Sequence, residues 1–319
     1  MPSSILVGDV GGTNCRLALA ERTALGTIEL HHSERFSVKH YQHFHDVVRE
    51  YLISKKVKPK QAAFAFAGPK FDNEIRMTNV DWIVSENDLI NEFGFRKAVV
   101  LNDFVAMANG ATVIPDDGFE ILISGKVNYN KPVAVLGPGT GLGVSCILPG
   151  RPPRIISTEG GHSSFSPQSE IEISILNYWQ KKIGYVSSET LISGPGLFRV
   201  YSGLCSILGK PTVCTRENEI VAAAEANPNS IARQSVIIFC NVLATFAGNV
   251  AFTTGATGGV VLAGGVTRHI SSFISESNFV ERFQSRGHGT WFMQDIPVRI
   301  IKAHFVALYG AAAMVLTNR

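Results

Sequence analysis

A carboxylate and a glycine-rich turn lie together near the start of the chain. Asp9 ends an apolar run and is followed by Gly-Gly-Thr-Asn at residues 11–14. Glycines in a tight turn let backbone N–H groups approach an anion closely, and the Thr13 hydroxyl adds a donor. A carboxylate beside such a turn can hold Mg²⁺ through water, because hard cations prefer oxygen ligands. The pattern predicts a phosphate-binding hairpin; the alternative is an ordinary Gly-Gly hairpin with an aspartate in its turn.

A second glycine-rich turn repeats this arrangement in the middle of the chain. Residues 137–143 read Gly-Pro-Gly-Thr-Gly-Leu-Gly, and both flanking segments are apolar. The spacing does not match the G-x-G-x-x-G pattern of dinucleotide-binding proteins, and neither Gly-Lys pair of the chain has the Ser/Thr and upstream glycine of a P-loop. The presence of two similar turns favours two phosphate-binding hairpins over two ordinary glycine hairpins.

Asn102 and Asp103 follow an apolar strand, residues 98–101. Strand ends in open α/β sheets face the ligand crevice, where a carboxylate can accept the proton of a hydroxyl nucleophile while the adjacent amide fixes the substrate. Both residue types also favour the first position of a helix, so a helix cap is the alternative and the better-supported interpretation from this pattern alone.

Further hydroxyl-binding groups lie downstream. Glu159 and His162 flank two glycines, and Glu189 precedes the Ser-Gly-Pro-Gly run that begins at residue 193. Carboxylate, amide and imidazole groups together suit neighbouring sugar hydroxyls, which both donate and accept hydrogen bonds. Each of these residues alone is more often a solvated or capping side chain.

Composition excludes several classes of protein. The 319 residues suffice for about two domains, and 45% hydrophobic content excludes intrinsic disorder. Lys and Arg exceed Asp and Glu by 29 − 26 = 3, too few to favour nucleic-acid binding. Five cysteines without CxxC spacing predict reduced thiols in a cytosolic protein rather than disulfides or zinc.

Neither a signal peptide nor a membrane span is predicted. The N-terminus has no basic region, and Asp9 interrupts its apolar run. Residues 234–267 carry no formal charge, but glycines at 255–259 would break a spanning helix. We interpret this segment as a buried helix, a turn and a buried strand of a soluble protein.

The pattern of elements predicts a duplicated α/β fold. In the first half, strands at 5–10, 15–20 and 28–36 precede an alternation of helices and strands, β-β-β-α-β-α-β-α, with a helix at 86–93 capped by Ser85. The second half opens with another glycine hairpin and continues with helices, the first at 170–183. The boundary is predicted near residues 114–118, and an Ala-rich helix within 304–316 is expected to pack back on the first half.

Taken in order, six segments resemble the bacterial-type glucokinases of the sugar kinase/actin/heat-shock ATPase superfamily, and the resemblance covers nearly the whole chain. These segments are residues 7–14, 101–104, 137–143, 159–162, 193–197 and 263–266.

The resemblance implies two actin-like (ribonuclease H-like) α/β domains that flank a catalytic cleft, a small one of residues 1–114 plus 303–319 and a large one of residues 115–302. It implies ATP-dependent phosphorylation of glucose to glucose 6-phosphate, the first step of glycolysis, with Mg²⁺ and with Asp103 as general base. The implied sugar-binding residues are Asn102, Glu159, His162 and Glu189. The implied nucleotide-binding residues are Gly8, Asp9, Val10, Gly11, Gly12, Thr13, Gly137, Gly139, Thr140, Gly141, Gly264 and Gly265, with Asp9 also near the metal through water.

The expected partners are a hexose and ATP, with no nucleic acid and no membrane, in a cytoplasmic homodimer. The chain lacks the Cys-rich zinc motif of the related repressor/kinase group and begins at a strand, which leaves no room for a helix-turn-helix. Two other functions remain open: an ATP-driven switch or assembly protein that keeps only the phosphate hairpins, and a kinase for another hexose such as mannose or an N-acetylated amino sugar.

Overall fold

The computed structural model describes residues 4–316; the ends of the predicted small domain, residues 1–3 and 317–319, lie outside the described part. The chain divides into two compact units. The first comprises Met1–Gly118, Arg151–Ser157 and Ala303–Arg319, and the second comprises Phe119–Gly150 and Thr158–Lys302.

The first unit is an α/β unit built on a mixed sheet. Its strands are β1 (Ile5–Val10), β2 (Asn14–Arg22), β3 (Ile28–Ser37), β4 (Gln61–Phe66), β5 (Lys70–Phe71), β6 (Glu74–Arg76), β7 (Ile83–Ser85) and β8 (Lys97–Asn102). Its helices are α1 (Phe44–Lys55), α2 (Glu86–Phe93), α3 (Asp103–Ala111) and α13 (Val306–Leu316).

The main sheet of this unit has the strand order β3-β2-β1-β4-β8, and the short strands β5, β6 and β7 form a separate small sheet. Strands β1, β4 and β8 run parallel, with Val10 level with Phe66 and Phe66 level with Asn102. Because the carboxyl ends of these strands share one edge, the first glycine hairpin and the Asn102-Asp103 pair emerge side by side, about 10 Å apart at the strand spacing of roughly 4.8 Å.

The two faces of this sheet have different cores. One face carries large side chains, such as Phe64 and Phe66, which pack with Phe44 of α1. The other face carries small ones, and α3 and α13 cover it. A Cβ on Gly310 of α13 would lie 1.7 Å from the Ala106 carbonyl oxygen of α3. The glycine therefore lets α13 fix the helix that begins at Asp103.

The second unit contains the remaining elements, except that β12 (Arg154–Thr158) enters it only at Thr158. Its strands are β9 (Phe119–Ile123), β10 (Val133–Pro138), β11 (Leu142–Leu148), β13 (Gly259–Leu262) and β14 (Val298–Ile301). Its helices are α4 (Glu170–Ile183), α5 (Ser188–Leu191), α6 (Gly194–Ile207), α7 (Glu217–Ala226), α8 (Ile231–Thr254), α9 (Gly265–His269), α10 (Ser271–Glu276), α11 (Phe279–Gln284) and α12 (Thr290–Met293).

The sheet of the second unit is mixed, with β11, β10, β13, β14 and β9 side by side in that order. Helix α8 forms the centre of the core against α6, α7 and α11. By length and composition α8 could cross a membrane, and it is the one helix among residues 4–316 that meets this test, but most of its residues are buried within the unit. The predicted sequence of buried helix, turn and buried strand is confirmed here.

The α/β class and most elements agree with the sequence analysis. Helices 86–93 and 170–183 have the predicted bounds, and Ser85 caps the former by accepting a hydrogen bond from the Asn87 amide. The predicted order of the first half was wrong in one respect, because it omits β5, β6 and β7, whose two or three residues each are too short to show a period.

Candidate active site

The first glycine hairpin leaves two consecutive amides without a protein partner. Within the turn, the Gly11 amide donates to the Asn14 carbonyl (2.9 Å), and the Thr13 carbonyl accepts from Val38 (3.0 Å). The amides of Gly12 and Thr13 donate to no acceptor within residues 4–316. The hairpin therefore presents adjacent N–H groups, which is the arrangement that an anion needs.

Asp9 is the half-buried carboxylate beside this hairpin, on the β1 residue level with Arg16 of β2. Burial raises the pKa of Asp9, and the Arg16 guanidinium opposes that effect. Arg16 is itself stacked over the Phe305 ring at 4.7 Å. Within residues 4–316 no group of three or more His, Cys, Asp or Glu side chains is arranged so that it could hold a metal ion. One carboxylate fits Mg²⁺, which keeps several waters and commonly uses one or two carboxylates plus substrate phosphates.

Asn102 and Asp103 join β8 to α3. Asn102 caps α3: its side-chain oxygen accepts from the amides of Phe104 (3.0 Å) and Val105 (3.3 Å), and its nitrogen donates to the Gly68 carbonyl (3.1 Å). The capping alternative is thus correct for Asn102. These bonds leave one side-chain N–H of Asn102 without an acceptor in the described chain, and they fix the helix start at which half-buried Asp103 stands.

The second hairpin shares with the first a pair of consecutive amides without a protein partner in the described chain, although its turn is one residue tighter. The Gly139 amide donates to the Gly141 carbonyl (2.8 Å), and the amides of Thr140 and Gly141 find no acceptor in the part of the chain that is described. The Gly194 amide, at the start of α6, donates to the Gly139 carbonyl (2.8 Å). The hairpin is therefore anchored on α6, and the Thr140 and Gly141 amides at its tip remain able to donate to a ligand.

The turn after β13 lies against this hairpin. A Cβ on Gly137 would lie 1.9 Å from the Ala263 carbonyl oxygen, and one on Gly264, whose φ is +91°, would lie 2.3 Å from the Pro138 carbonyl oxygen. Only glycines allow this approach. The structure thus brings the predicted Gly264-Gly265 segment next to the predicted residues 137–141.

Three of the predicted sugar-binding side chains converge in the second unit. His162 Nε2 lies 3.7 Å from Glu159 Oε2, and His162 Nδ1 lies 3.9 Å from Glu189 Oε1. Glu159 and His162 are more than half exposed, whereas Glu189 is about two-thirds covered. Two carboxylates on either side of an imidazole form a cluster of acceptors and donors suited to vicinal hydroxyls.

The loop that carries His162 is tied to the segment that carries Glu189. The Tyr185 hydroxyl donates to the His162 carbonyl (2.8 Å), and the Ser188 amide donates to the Ser163 carbonyl (2.7 Å). Neither Tyr185 nor Asn79, whose side chain contacts the first hairpin at Gly12, was predicted from the sequence. No local pattern marks either residue, because long-range contacts alone define their positions.

Comparisons with known proteins agree with this architecture. The sequence profile described as "Glucokinase" matches residues 6–318. A glucokinase of Hahella chejuensis is 35% identical over 96% of this chain and 95% of its own length. A solved glucokinase from an Antarctic psychrotroph superposes with a TM-score of 0.88 at 30% identity, covering 99% of both chains.

A more distant solved structure shares the fold. It is a ROK family glucokinase from Streptomyces griseus, solved with glucose and AMPPNP, with a TM-score of 0.67 at 18% identity over 98% of each chain. The mixed α/β sheets with their glycine hairpins are thus those of the α/β sugar kinases. The chain belongs to the glucokinase family.

Proposed function

We propose that this chain transfers the γ-phosphoryl group of ATP to the 6-hydroxyl of glucose, forming glucose 6-phosphate and ADP in the first step of glycolysis. Membership of the glucokinase family makes it an enzyme that phosphorylates glucose. The observation that carries the assignment of the site is the convergence of Glu159, His162 and Glu189 beside a hairpin with two unpaired amides. A fold relative solved with glucose and AMPPNP supports this pair of substrates.

The two compact units are proposed to be the two actin-like domains implied by the family resemblance, which flank a catalytic cleft in that family. The carboxyl edge of the first unit's sheet would contribute the base and one phosphate hairpin, and the second unit would contribute the sugar cluster, the other hairpin and the Gly264-Gly265 turn. Closure of the domains on glucose would exclude water, which competes with the sugar as the phosphoryl acceptor.

In this mechanism Asp103 is the general base. As the O6–P bond forms and the bond from phosphorus to the ADP oxygen breaks, the proton of the 6-hydroxyl moves to the Asp103 carboxylate. Asn102 fixes the first turn of α3 through its capping bonds, and its remaining N–H is available to a sugar oxygen. Such a base contributes about 10²–10⁴-fold to the rate.

The hairpin amides bind the phosphates of ATP. The transition state of phosphoryl transfer spreads negative charge over oxygens, so N–H groups held in position stabilise it without reorganisation. Mg²⁺, when bound with ATP, neutralises phosphate charge, and Asp9 is the residue that would hold it through water. The predicted contacts of Gly8–Thr13, Gly137–Gly141 and Gly264-Gly265 with the nucleotide are part of this proposal.

The cellular setting proposed for the enzyme is the cytoplasm, where the homodimer acts on small-molecule substrates without nucleic-acid or membrane partners. The five buried cysteines form no disulfide, which agrees with a reducing compartment.

A coupled assay of ADP release across a panel of hexoses tests the proposed function. Glucose should give the highest kcat/KM, and it should raise the melting temperature of the wild-type protein because it binds the folded state alone. A higher kcat/KM for mannose or an N-acetylated amino sugar would make the chain a kinase for that sugar. ATP hydrolysis with neither sugar phosphorylation nor a glucose-dependent melting shift would make it an ATP-driven switch.

A further inference from the structure

Asn79 contacts the first glycine hairpin. A Cβ placed on Gly12 would lie 2.8 Å from the Asn79 Cβ and 3.6 Å from its side-chain nitrogen. The residue is exposed, and its carboxamide forms no hydrogen bond with any residue in the described range 4–316. The Asn79 carboxamide, which has no hydrogen-bond partner among these residues, thus lies against Gly12, whose backbone N–H has none either.

The loop that carries Asn79 is fixed on both sides. The Thr78 amide donates to the Ala67 carbonyl (3.1 Å), and the Met77 amide donates to the Trp82 carbonyl (3.0 Å). Trp82 is 3% exposed, and its indole N–H donates to the Gln42 carbonyl (2.8 Å). These contacts hold the backbone of Asn79 beside the hairpin. Binding of a ligand there would therefore require little further ordering of the loop.

The second hairpin has a carboxylate rather than an amide as its neighbour: a Cβ on Gly141 would lie 2.5 Å from Glu189 Oε2. A Cβ on Gly139 would find no atom within 4 Å, whereas the space beside Gly12 is already occupied by Asn79. Both hairpins have two consecutive unpaired amides in the described chain, but their side-chain neighbours differ: an amide lies against the first, and the Glu189 carboxylate lies against the second.

We propose that Asn79 is a phosphate-binding residue, whose carboxamide N–H donates to a terminal phosphate oxygen of the nucleotide held by the amides of Gly12 and Thr13. This proposal rests on the proposed function of the first hairpin. The carboxamide suits the task because it supplies donors without charge. A carboxylate at the same place would supply acceptors alone and would repel the phosphates.

Three variants test the proposal: Asn79→Ala, Asn79→Asp and a matched control, Asn91→Asp, which adds the same charge at an exposed position of α2. The KM for ATP should rise about tenfold in Asn79→Ala, because a hydrogen bond to a charged group is lost. It should rise at least about tenfold further in Asn79→Asp, because the carboxylate repels the phosphates. The KM for glucose and the melting temperature should stay near the wild-type values in both, and Asn91→Asp should resemble the wild type throughout.

Gly11→Ala separates this proposal from the proposed function of the hairpin. A Cβ there would meet one atom, the Asn14 carbonyl oxygen, at an ordinary 3.6 Å, so the substitution fits the free protein. If Gly11→Ala raises the KM for ATP while both Asn79 variants leave it unchanged, the hairpin binds phosphate and the role of Asn79 is wrong. If Gly11→Ala and the Asn79 variants all leave it unchanged, the hairpin itself has been misassigned. Equal losses in Asn79→Ala and Asn79→Asp with a lower melting temperature would show a packing role and overturn the proposal.

Discussion

The Glu189 carboxylate accepts a hydrogen bond from the Leu142 backbone amide (2.7 Å, to Oε2), while its other oxygen faces His162 at 3.9 Å. One side chain thereby contacts both the second glycine hairpin and the proposed sugar-binding cluster of Glu159, His162 and Glu189. Ser187 caps the short helix α5 that carries Glu189, and the Ser193 hydroxyl donates to the Glu189 carbonyl (2.8 Å). The position of the hairpin is thus linked to the position of a residue that we propose to bind the sugar.

Glu189→Ala should raise the KM for both substrates. Loss of the carboxylate removes an acceptor for sugar hydroxyls, so the KM for glucose should rise at least about tenfold, equal to roughly 1.4 kcal/mol. Loss of the bond to the Leu142 amide loosens the hairpin, so the KM for ATP should rise several-fold. Steady-state titrations of each substrate measure both effects.

Glu159→Ala is the matched control for that prediction. The Glu159 side chain is 67% exposed and accepts no hydrogen bond from the hairpin. Its removal should raise the KM for glucose to a similar extent and leave the KM for ATP nearly unchanged. If both variants raise the KM for ATP equally, Glu189 does not connect the two substrate sites.

Tyr185→Phe should weaken glucose binding indirectly, because Tyr185 positions the loop of His162 and is not itself proposed to contact the sugar. The substitution removes the hydrogen bond to the His162 carbonyl, worth about 0.5–1.5 kcal/mol. The KM for glucose should rise roughly two- to tenfold, with the KM for ATP unchanged. Tyr178→Phe is the control, because that hydroxyl bonds to Ser206 and Lys182 instead. A wild-type KM for glucose in Tyr185→Phe would show that the loop holds His162 by its other contacts.

Gly139→Ala should separate nucleotide binding from folding. A Cβ on Gly139 would meet no atom within 4 Å, so the melting temperature should stay at its wild-type value. The KM for ATP should rise at least about tenfold, roughly 1.4 kcal/mol, because the new methyl group occupies the space of a phosphate.

Gly94→Ala should show the opposite behaviour. Gly94 ends α2 with a φ of +67°, so alanine there is strained and should cost about 1 kcal/mol of stability. Its KM for ATP should not change. If Gly139→Ala leaves the KM for ATP unchanged, the second hairpin does not bind the nucleotide.

A buried ion pair stabilises the second unit. Glu172, 2% exposed, accepts bonds from Arg282 Nη2 (2.9 and 3.0 Å) and from the Gln168 amide (2.6 Å). Arg286 lies nearby, and burial together with the Arg282 charge lowers its pKa. Glu172 is therefore the counter-ion of Arg282, whose charge is felt by a second guanidinium group.

Glu172→Ala should lower the free energy of unfolding by about 3–5 kcal/mol, because it leaves the mostly covered Arg282 guanidinium without its counter-ion. Glu276→Ala, which breaks the more exposed pair with Arg233, should cost less than about 1 kcal/mol. Urea unfolding of both variants measures the difference, and equal costs would contradict the role given to Glu172.

Much of the fold follows from local signals in the sequence. Helix α2 has its predicted bounds because Ser85 caps its start and Gly94, in a left-handed conformation, ends it. The four-residue strand Val298–Ile301 carries no such signal, since its pairing with β13 and β9 defines it. Helix α13 has its position from glycine contacts with α3, which no periodicity reveals.

The candidate site likewise combines residues that local sequence signals indicate with contacts that only the folded chain defines. Charged and amide side chains at strand ends and beside glycines are visible in the sequence, and so Asp103 and Glu189 could be named as candidates. The capping role of Asn102 was also foreseeable from its residue type. The bond from the Leu142 amide to Glu189 spans 47 residues, and such long-range contacts appear only when the chain is folded.

The most direct test of the account is the turnover number of Asp103→Asn with glucose and ATP. Asparagine keeps the shape of the side chain but cannot accept the proton of the 6-hydroxyl. We expect kcat to fall at least about 10²-fold, with the glucose-dependent rise in melting temperature retained. A kcat near that of the wild type would contradict the account, because it would remove Asp103 from the reaction.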